Sequence, residues 1–327
     1  MNQVSNITEP RNPPVTGSRA SSAERESAGR LGTCIFSVDV EDWFHILDLP
    51  TTPAITEWDT LPSRVERNFL KLLDILGEQG ARVTCFVLGW VAQKYPHLVK
   101  QAEALGHEIA SHGYAHKLIY QMTPDEFFHD ARVSKEALES LVGHAIVGYR
   151  AAGFSVNAST AWFYEKLVEA GYSYDSSVFP AERGHGGMRY GHREPHRVNC
   201  AAGTIVEFPM TVEPILGKPI CFFGGGYLRL FPYAVTKHMT GKVLQAGRPV
   251  IFYVHPREID PEHPRLEMNL QRRFKSYVNL RSTEAKIRRL LSDFQVSSFQ
   301  EFLAQCPGRL LPEVGPEATH SFQSETV

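Results

Sequence analysis

The chain has 327 residues, of which 43% are hydrophobic and 21% are charged, and its formal net charge is −2. This balance argues against a dedicated nucleic-acid-binding protein, which normally carries a basic excess, and against a polybasic membrane anchor. Uncharged stretches such as 83–93 are far shorter than the ~18 apolar residues of a spanning helix. We therefore expect a globular protein without a membrane span.

The cysteines and the two ends of the chain indicate compartment and domain limits. The five cysteines include no CxxC pair, which argues against a disulfide framework and a cysteine zinc site. Residues 1–30 show no signal-peptide pattern and few apolar residues, so we expect a cytoplasmic protein with a disordered amino-terminal tail. Prolines and polar residues predict a flexible tail over 306–327. The block 31–305 between the tails is predicted to form one domain.

Within this block, short apolar segments alternate with amphipathic ones. Strands are predicted at 33–38, 82–88, 106–112, 145–150, 172–177, 205–209 and 249–255. Helices are predicted from residue 63, over 96–105, over 123–141, over 158–170 and over 232–245. Ser63 with Glu66, and Thr123 with Glu126, have the spacing of capping boxes. Repeated β–α alternation predicts an α/β fold with parallel strands, and seven strands predict a closed or nearly closed barrel.

Ionisable residues follow five of the predicted strands at their carboxyl ends. In chain order these are Asp39, Glu41 and Asp42, then His112 and His116, then Arg150, then Asp175, and finally His255. In a parallel α/β barrel all of these strand ends meet on one face, where active sites lie. The coincidence of five such ends predicts one common site.

The histidines of this set have a spacing that suits a metal ion. His112 and His116 form an HxxxH pair whose imidazoles can reach one cation from a turn. Two histidines and one carboxylate are typical of catalytic zinc, which keeps an open position for water. Either Glu41 or Asp42 could supply the carboxylate. A divalent cation, with zinc as the expected ion, would bring the pKa of the bound water toward neutrality.

The remaining residues suit hydrolysis of an acyl bond. Asp39 would act as a base on the metal-bound water, and a protonated His255 would donate to the leaving group. Arg150 would keep Asp39 ionised. Asp175 would favour the charged form of His255.

Three other patterns in the sequence suggest different kinds of site. The dipeptide at 107–108 begins like the zincin motif HExxH, but the next histidine is His112, which is too far along for one helix face. A second pair, His192 and His196, lies among arginines that oppose a divalent cation, so an anion- or sugar-contacting surface or a solvated loop is expected. The three glycines at 224–226 lack the Lys-Ser/Thr of a phosphate loop and predict a mobile loop beside the cleft.

Five segments, in order, resemble the motifs of the polysaccharide deacetylases, carbohydrate esterase family 4. They read SVDVEDWFH (37–45), SHGYAH (111–116), GYRAAGFS (148–155), YDSSVFP (174–180) and FYVHPRE (252–258). The first of them, with GGGYLRLFPY (224–233), is similar to a subgroup tied to bacterial exopolysaccharide loci with the exosortase and PEP-CTERM system. The resemblance covers about residues 33–305.

The resemblance implies a distorted (β/α)7 barrel that removes N-acetyl, sometimes O-acetyl, groups from sugars with the help of a metal. By motif position it assigns the base to Asp39, metal ligands to His112 and His116, the acid to His255, and tuning roles to Arg150 and Asp175. The usual adjacent Asp-Asp is stretched to Asp-Val-Glu-Asp, which leaves Glu41 and Asp42 as alternative ligands. The third motif reads Arg-Ala-Ala in place of Arg-Ala-Pro, which loosens a turn beside Arg150.

We therefore expect a deacetylase acting on an acetylated exopolysaccharide, oligosaccharide or precursor, with no nucleic-acid partner and an association with exopolysaccharide biosynthesis proteins. One alternative is a related barrel amidohydrolase acting on a small linear or cyclic amide. Another is a catalytically inactive sugar-binding protein, against which the intact set of carboxylates and histidines speaks.

Overall fold

A parallel sheet forms the centre of the computed structural model, which describes residues 33–181, 186–188, 192–305 and 311–314. Its strands are β1 (Cys34–Val40), β2 (Thr84–Val87), β3 (Glu108–Ser111), β4 (Gly148–Tyr149), β5 (Tyr174–Asp175), β6 (His196–Cys200), β7 (Gly203–Glu207), β10 (Val250–Val254), β11 (Val296–Ser297) and β12 (Glu313–Val314). The order is β10-β1-β2-β3-β4-β5-β7-β6-β12, with β11 also beside β1. All pairs are parallel except β6–β7. A separate hairpin joins β8 (Glu213–Ile215) to β9 (Lys218–Ile220).

Helices connect the strands. The α-helices of the described residues are Val65–Glu78, Gly89–Lys94, Pro96–Ala104, Pro124–Val142, Phe163–Glu169, Gly225–Leu230, Tyr233–Gln245, Leu270–Tyr277, Leu280–Asp293 and Phe299–Gln305. Short 3-10 turns span Trp43–His45, Ile55–Thr60, Ile119–Gln121, Ala152–Phe154 and Pro256–Ile259. In this part of the chain no helix combines the length and the apolar composition needed to cross a membrane.

The central strand β1 explains how the carboxylates reach the site. Every residue of CIFSVDV is buried, because β10 and β2 flank the strand and apolar layers cover both faces. Phe36 and Val38 belong to the larger apolar cluster, whereas Ile35 packs in a second cluster with Phe86. Alternate residues of a strand point to opposite faces, so Asp39 shares the face of Ile35. A buried carboxylate at the end of this strand requires a partner.

The α/β class and the parallel sheet agree with the sequence-based expectation, and each predicted strand overlaps an observed one. Among the described strands, no hydrogen bonds join the two edge strands β10 and β12 to each other, so closure of the barrel is not observed. The predicted tail 1–30 lies outside the described residues, as do 306–310 and 315–327. Within the second predicted tail, Glu313–Val314 pair with β6.

One of the two predicted capping boxes is present. Thr123 accepts a hydrogen bond from the N–H of Glu126, and the Glu126 carboxylate accepts one from the N–H of Thr123. The prediction for Ser63 was wrong, because its hydroxyl donates to Asp42 instead, 2.6 Å away. The helix that follows begins at Val65.

Candidate metal centre and active site

Asp39 is held by a fully buried arginine. Nη1 of Arg150 lies 2.7 Å from Asp39 Oδ1 and also donates to the hydroxyl of Ser37. Two further hydrogen bonds run from the guanidinium to the carbonyl and hydroxyl oxygens of Ser176, at 3.1 and 3.0 Å. The cation also lies over the ring of Phe86, 4.1 Å from its centroid. The guanidinium therefore supplies both the compensating charge and a fixed orientation for Asp39.

Glu41, His112 and His116 form a buried cluster whose ligand atoms all lie within 4.8 Å of one another. Nε2 of His116 lies 2.6 Å from Glu41 Oε2, without the alignment of a hydrogen bond. Nδ1 of His112 lies 2.8 Å from the carbonyl oxygen of Arg150, so this nitrogen carries the proton and Nε2 keeps its lone pair. Two imidazoles and a carboxylate that converge in this way fit a zinc-type cation.

The charge states of this cluster also suit a cation. Burial raises the pKa of Glu41, but His116, His255 and Arg257 outweigh it and hold that pKa well below its usual range. Burial lowers the pKa of His112 to about 4. An ionised carboxylate beside a neutral imidazole presents lone pairs rather than protons to a metal ion.

The loop that carries His116 depends on a residue that the sequence reading missed. Gly113 and His116 have φ values of 74° and 51°, in the left-handed region. The carboxylate of Asp130 accepts hydrogen bonds from the backbone N–H groups of Tyr114 and Ala115, at 2.8 and 3.1 Å. A Cβ at residue 113 would lie 3.0 Å from this carboxylate. Asp130 thus holds the turn that brings the second histidine back to the first.

Asp42, the other candidate ligand, has a different set of partners. Its carboxylate accepts hydrogen bonds from the N–H groups of Trp43, Arg64 and Val65 and from the Ser63 hydroxyl. Burial raises the pKa of Asp42 in spite of these bonds. The side chain caps the starts of two helical segments, and of the two alternatives the structure brings only Glu41 into the histidine cluster.

His255 faces the cluster from the end of β10. Its Nε2 lies 3.5 Å from Glu41 Oε1 and 3.9 Å from Asp39 Oδ2, and its Nδ1 lies 3.6 Å from Glu258 Oε2. Burial lowers the pKa of His255, but the carboxylates of Glu41 and Glu258 more than offset it, so the pKa is raised. Glu258 is itself paired with Arg229 at 3.3 Å. The protonated imidazole is therefore favoured here.

Asp175 does not take the place beside His255 that the sequence reading gave it. Its carboxylate accepts hydrogen bonds from the hydroxyl and the N–H of Ser177, at 2.6 and 3.0 Å, and from the carboxyl group of Glu207. Burial raises the pKa of Asp175 to about 6. The carboxylate at Nδ1 of His255 comes instead from Glu258. Its position three residues after the histidine, in HPRE, is a local signal that could have identified it.

These groups line one open cavity of about 350 Å³. Its wall includes Asp39, Glu41, His45, His112, His116, Tyr227, Leu230, Tyr253, His255, Arg257, Glu258, Arg272, Phe274 and Lys275. Arg150 and Asp175 are fully buried behind it.

The three glycines at 224–226 do not form the mobile loop that was predicted. Gly225 opens the helix Gly225–Leu230, and close packing requires the absence of side chains. A Cβ at Gly224 would lie 1.8 Å from Cε1 of Tyr253, and one at Gly225 would lie 2.1 Å from Oε1 of Glu258. The glycines thus let this helix approach the strand and turn that carry His255.

The second histidine pair has no metal cluster around it in the described residues. The rings of His192 and His196 lie 4.7 Å apart, and Nδ1 of His196 lies 2.8 Å from the carbonyl oxygen of Glu194. The described part of the chain offers one group of three or more potential ligands, namely the cluster with Glu41.

Comparisons with known proteins show similarity to deacetylases over part of the chain. Residues 50–174 match the family model described as polysaccharide deacetylase, and residues 176–304 match one described as a domain of unknown function, DUF3473. A peptidoglycan-N-acetylglucosamine deacetylase of Bacillus cereus is 35% identical over 75 residues, which is 23% of this chain and 27% of that protein. A peptidoglycan deacetylase-like protein of Gibberella zeae is 32% identical over 109 residues, 33% of this chain and 31% of that protein. The matched segments thus span about a third or less of these relatives.

Solved structures with the same fold are distant in sequence. A Mycobacterium smegmatis protein assigned to the polysaccharide deacetylases aligns with a TM-score of 0.60 and 19% identity over 97% of this chain and 99% of its own. A Pseudomonas aeruginosa protein of the same assignment aligns with a TM-score of 0.55 and 16% identity, over 86% of this chain and 93% of its own. An allantoinase also aligns with a TM-score of 0.55 and 16% identity, over 92% of this chain and 99% of its own. These likenesses establish the fold alone. Together with the match of residues 50–174 to the family model, they make this chain similar to the polysaccharide deacetylases in that segment and in its fold.

Proposed function

We propose that this protein is a metal-dependent hydrolase that removes N-acetyl groups from an acetylated polysaccharide or its precursor. One observation carries the proposal: a single cavity brings together a carboxylate paired with Arg150, a cluster of two histidines with Glu41, and His255. Metal-assisted hydrolysis of an amide uses a base, a Lewis acid and an acid, and these groups match that set.

Glu41, His112 and His116 would hold the divalent cation, for which zinc is our candidate. When bound, the cation would polarise the acetyl carbonyl and make a coordinated water molecule acidic enough to lose its proton near neutral pH. Burial of the three side chains keeps bulk water from competing for the site, and the carbonyl of Arg150 keeps the ring of His112 in the right tautomer.

Asp39 would accept the proton of the attacking water. Its Oδ1 is occupied by Arg150, and its Oδ2 faces His255 at 3.9 Å. The ion pair with the buried guanidinium of Arg150 orients the carboxylate and prevents its rotation.

His255 would protonate the amine as the carbon–nitrogen bond breaks, so that acetate and a free amino sugar leave. Its raised pKa keeps a proton available near neutrality. Glu258 holds the ring from behind, because its carboxylate accepts a hydrogen bond from the backbone N–H of His255 at 3.1 Å and faces Nδ1.

The proposed substrate class rests on the relatives and the motifs. The matched Bacillus cereus protein is described as a deacetylase of peptidoglycan N-acetylglucosamine, which supports an N-acetylated amino sugar polymer. The similarity of 37–45 and 224–233 to the exopolysaccharide-locus subgroup leads us to propose a bacterial exopolysaccharide, in association with its biosynthesis proteins. We also propose a cytoplasmic location.

Acetate release from N-acetylglucosamine oligomers by the zinc-loaded protein tests the activity. We expect release that stops after chelation and returns when Zn²⁺ is added. Asp39→Asn should keep the bound metal and lose about a hundredfold or more in rate, because the base is removed. His112→Ala should lose the metal as well. Normal metal content and acetate release in His112→Ala would contradict the assignment.

Parallel substrates separate the alternatives. An O-acetylated oligosaccharide distinguishes ester from amide hydrolysis. Turnover of allantoin or another small amide, with no acetate from the oligomers, would support the small-amide hydrolase instead. Bound metal without turnover of any of these substrates would support a sugar-binding protein.

A further inference from the structure

His45 lies on the wall of the same cavity and has no role in the scheme above. It ends the 3-10 turn Trp43–His45 and is 1% exposed. Its ring packs 4.2 Å from the ring of Trp58, 4.6 Å from Phe44 and 5.8 Å from Trp90. Such an aromatic enclosure leaves the imidazole little freedom to rotate.

The hydrogen bonding of His45 determines which ring nitrogen carries the proton. The backbone N–H of Asp42 donates to Nδ1 at 3.0 Å. A nitrogen that accepts a hydrogen bond must hold the lone pair, so in the neutral ring the proton lies on Nε2. His45 therefore cannot bind a cation through Nε2, and its free edge is a hydrogen-bond donor.

That donor has no partner within the described part of the chain. Nε2 of His45 is buried and accepts or donates no hydrogen bond there. An unsatisfied buried N–H destabilises the folded protein, so a position of this kind needs an explanation. The ring of His116, one of the candidate metal ligands, lies 5.6 Å away, centroid to centroid. Because His45 also lines the cavity, its ring lies beside the cluster that would hold the cation.

We propose that Nε2–H of His45 donates a hydrogen bond to the acyl oxygen of the bound substrate and stabilises the negative charge that develops on it. This inference rests on the proposed deacetylase function. A neutral imidazole suits the role, because it offers a directed N–H group without adding a positive charge that would repel the neighbouring cation. If Nε2–H instead bound a sugar hydroxyl, the hydrogen bond would be equally strong in the ground state and the transition state. Its loss would then change substrate binding and not kcat.

Two substitutions separate the donor from the acceptor of this side chain. His45→Asn keeps an acceptor near the position of Nδ1 for the Asp42 N–H and removes the donor at Nε2. His45→Gln places an amide N–H near Nε2 and gives up the acceptor. With zinc-loaded protein and N-acetylglucosamine oligomers, we expect His45→Asn to lower kcat about 100-fold with KM changed less than about threefold. The kcat of His45→Gln should be at least ten times that of His45→Asn.

The opposite ranking would show that His45 only supports the backbone of Asp42, and it would overturn the proposal. A change in KM alone, or wild-type kcat in His45→Asn, would overturn it as well. Metal analysis of both variants should give wild-type zinc content, since the side chain is not a ligand. Loss of zinc from His45→Asn would contradict the assignment.

A measurement that needs no turnover keeps this inference distinct from the proposed activity. Long-range ¹H–¹⁵N spectra of the histidine side chains in the zinc-loaded protein should show His45 with its proton on Nε2. Acetate, the expected product, should shift that resonance, whereas chloride at the same ionic strength should not. A proton on Nδ1, or no response to saturating acetate, would overturn the inference even if acetate release is observed. If the oligomers are not hydrolysed but the acetate response is present, the proposed substrate fails and the donor assignment stands.

Discussion

Two adjacent carboxylates, Glu41 and Asp42, have opposite surroundings although both are buried. Glu41 lies among the histidines, and Asp42 accepts hydrogen bonds from backbone groups of two helical starts. At the end of a strand the chain turns, and neighbouring side chains then point in unrelated directions. The difference makes the assignment of the metal ligand testable with a matched pair of substitutions.

We expect Glu41→Gln to weaken Zn²⁺ binding about 100-fold or more, because it removes the charged ligand of the cluster. Asp42→Asn should change Zn²⁺ affinity less than about threefold. Its main effect should be a loss of about 1–3 kcal/mol in the free energy of unfolding, because the amide NH2 cannot accept the hydrogen bonds that one carboxylate oxygen accepted. Competition with a chromophoric chelator measures the affinity, and urea unfolding measures the stability.

Circular dichroism below the unfolding transition should show both variants folded before the affinities are compared. Loss of zinc from folded Asp42→Asn, with retention in Glu41→Gln, would reverse the assignment of the ligand.

At the scale of elements, the helix Gly225–Leu230 and the turn after β10 depend on each other. Gly225 packs against the Glu258 carboxylate, and Arg229 of the same helix pairs with that carboxylate. Glu258 in turn faces His255. A helix start that looked like a loop in the sequence therefore supports the candidate acid through one intervening side chain.

Gly225→Ala should lower kcat for acetate release at least tenfold. The new methyl group must displace the Glu258 carboxylate, whose charge helps to keep the pKa of His255 raised. An acid must be protonated to act, so a lower pKa moves the alkaline limb of the pH–rate profile to lower pH. The profile of kcat/KM between pH 5 and 10 measures the shift.

Gly226→Ala is the matched control in the same helix turn. A Cβ there would first meet Nη2 of Arg229, at 3.4 Å, which is an ordinary contact. We expect a wild-type profile for this variant. An unchanged profile in Gly225→Ala, or an equal loss in both variants, would refute the proposed support of His255.

For the molecule as a whole, the hydrophobic periodicity predicted the alternation of strands and helices well, because these elements contain long apolar runs. The strands β4 and β5 have only two residues each, yet they were found, since GYR and YDS follow clear apolar segments. The strand β6 was missed, because HRVNC is polar on one face and lies in an Arg- and His-rich stretch. The helices after residue 269 were also missed, although Leu280, Ile287 and Leu291 have helical spacing.

The site was predictable to the extent that strand ends define it. Asp39, the two histidines of 112–116, Arg150 and His255 come together because parallel strands end at one edge. Contacts between elements distant in sequence could not be inferred in this way. Asp175 illustrates the limit: it ends a strand as expected, but Glu207 from the adjacent strand β7 lies beside it and determines its chemistry.

This buried carboxyl pair should leave a signature in the stability of the whole fold. Burial raises the pKa of Asp175 to about 6, and burial together with Asp175 raises the pKa of Glu207 well above its usual range. Because the folded pKa values exceed the unfolded ones, the pair's contribution to stability is fully present below about pH 4 and is lost as pH rises through about 6 and above.

In Glu207→Gln we expect a smaller loss of stability as the pH rises. The substitution removes one titrating group and its negative charge, and the new amide can donate a hydrogen bond to Asp175. The difference in the free energy of unfolding, variant minus wild type, should therefore grow by about 1–3 kcal/mol between pH 5 and pH 8. Urea unfolding in chelator-containing buffer at several pH values measures it. Asp74→Asn, at an exposed position of the helix Val65–Glu78, is the control for loss of a carboxyl group that is not buried. A difference for Glu207→Gln that does not change with pH would mean that the two carboxyl groups do not share a proton in the folded protein.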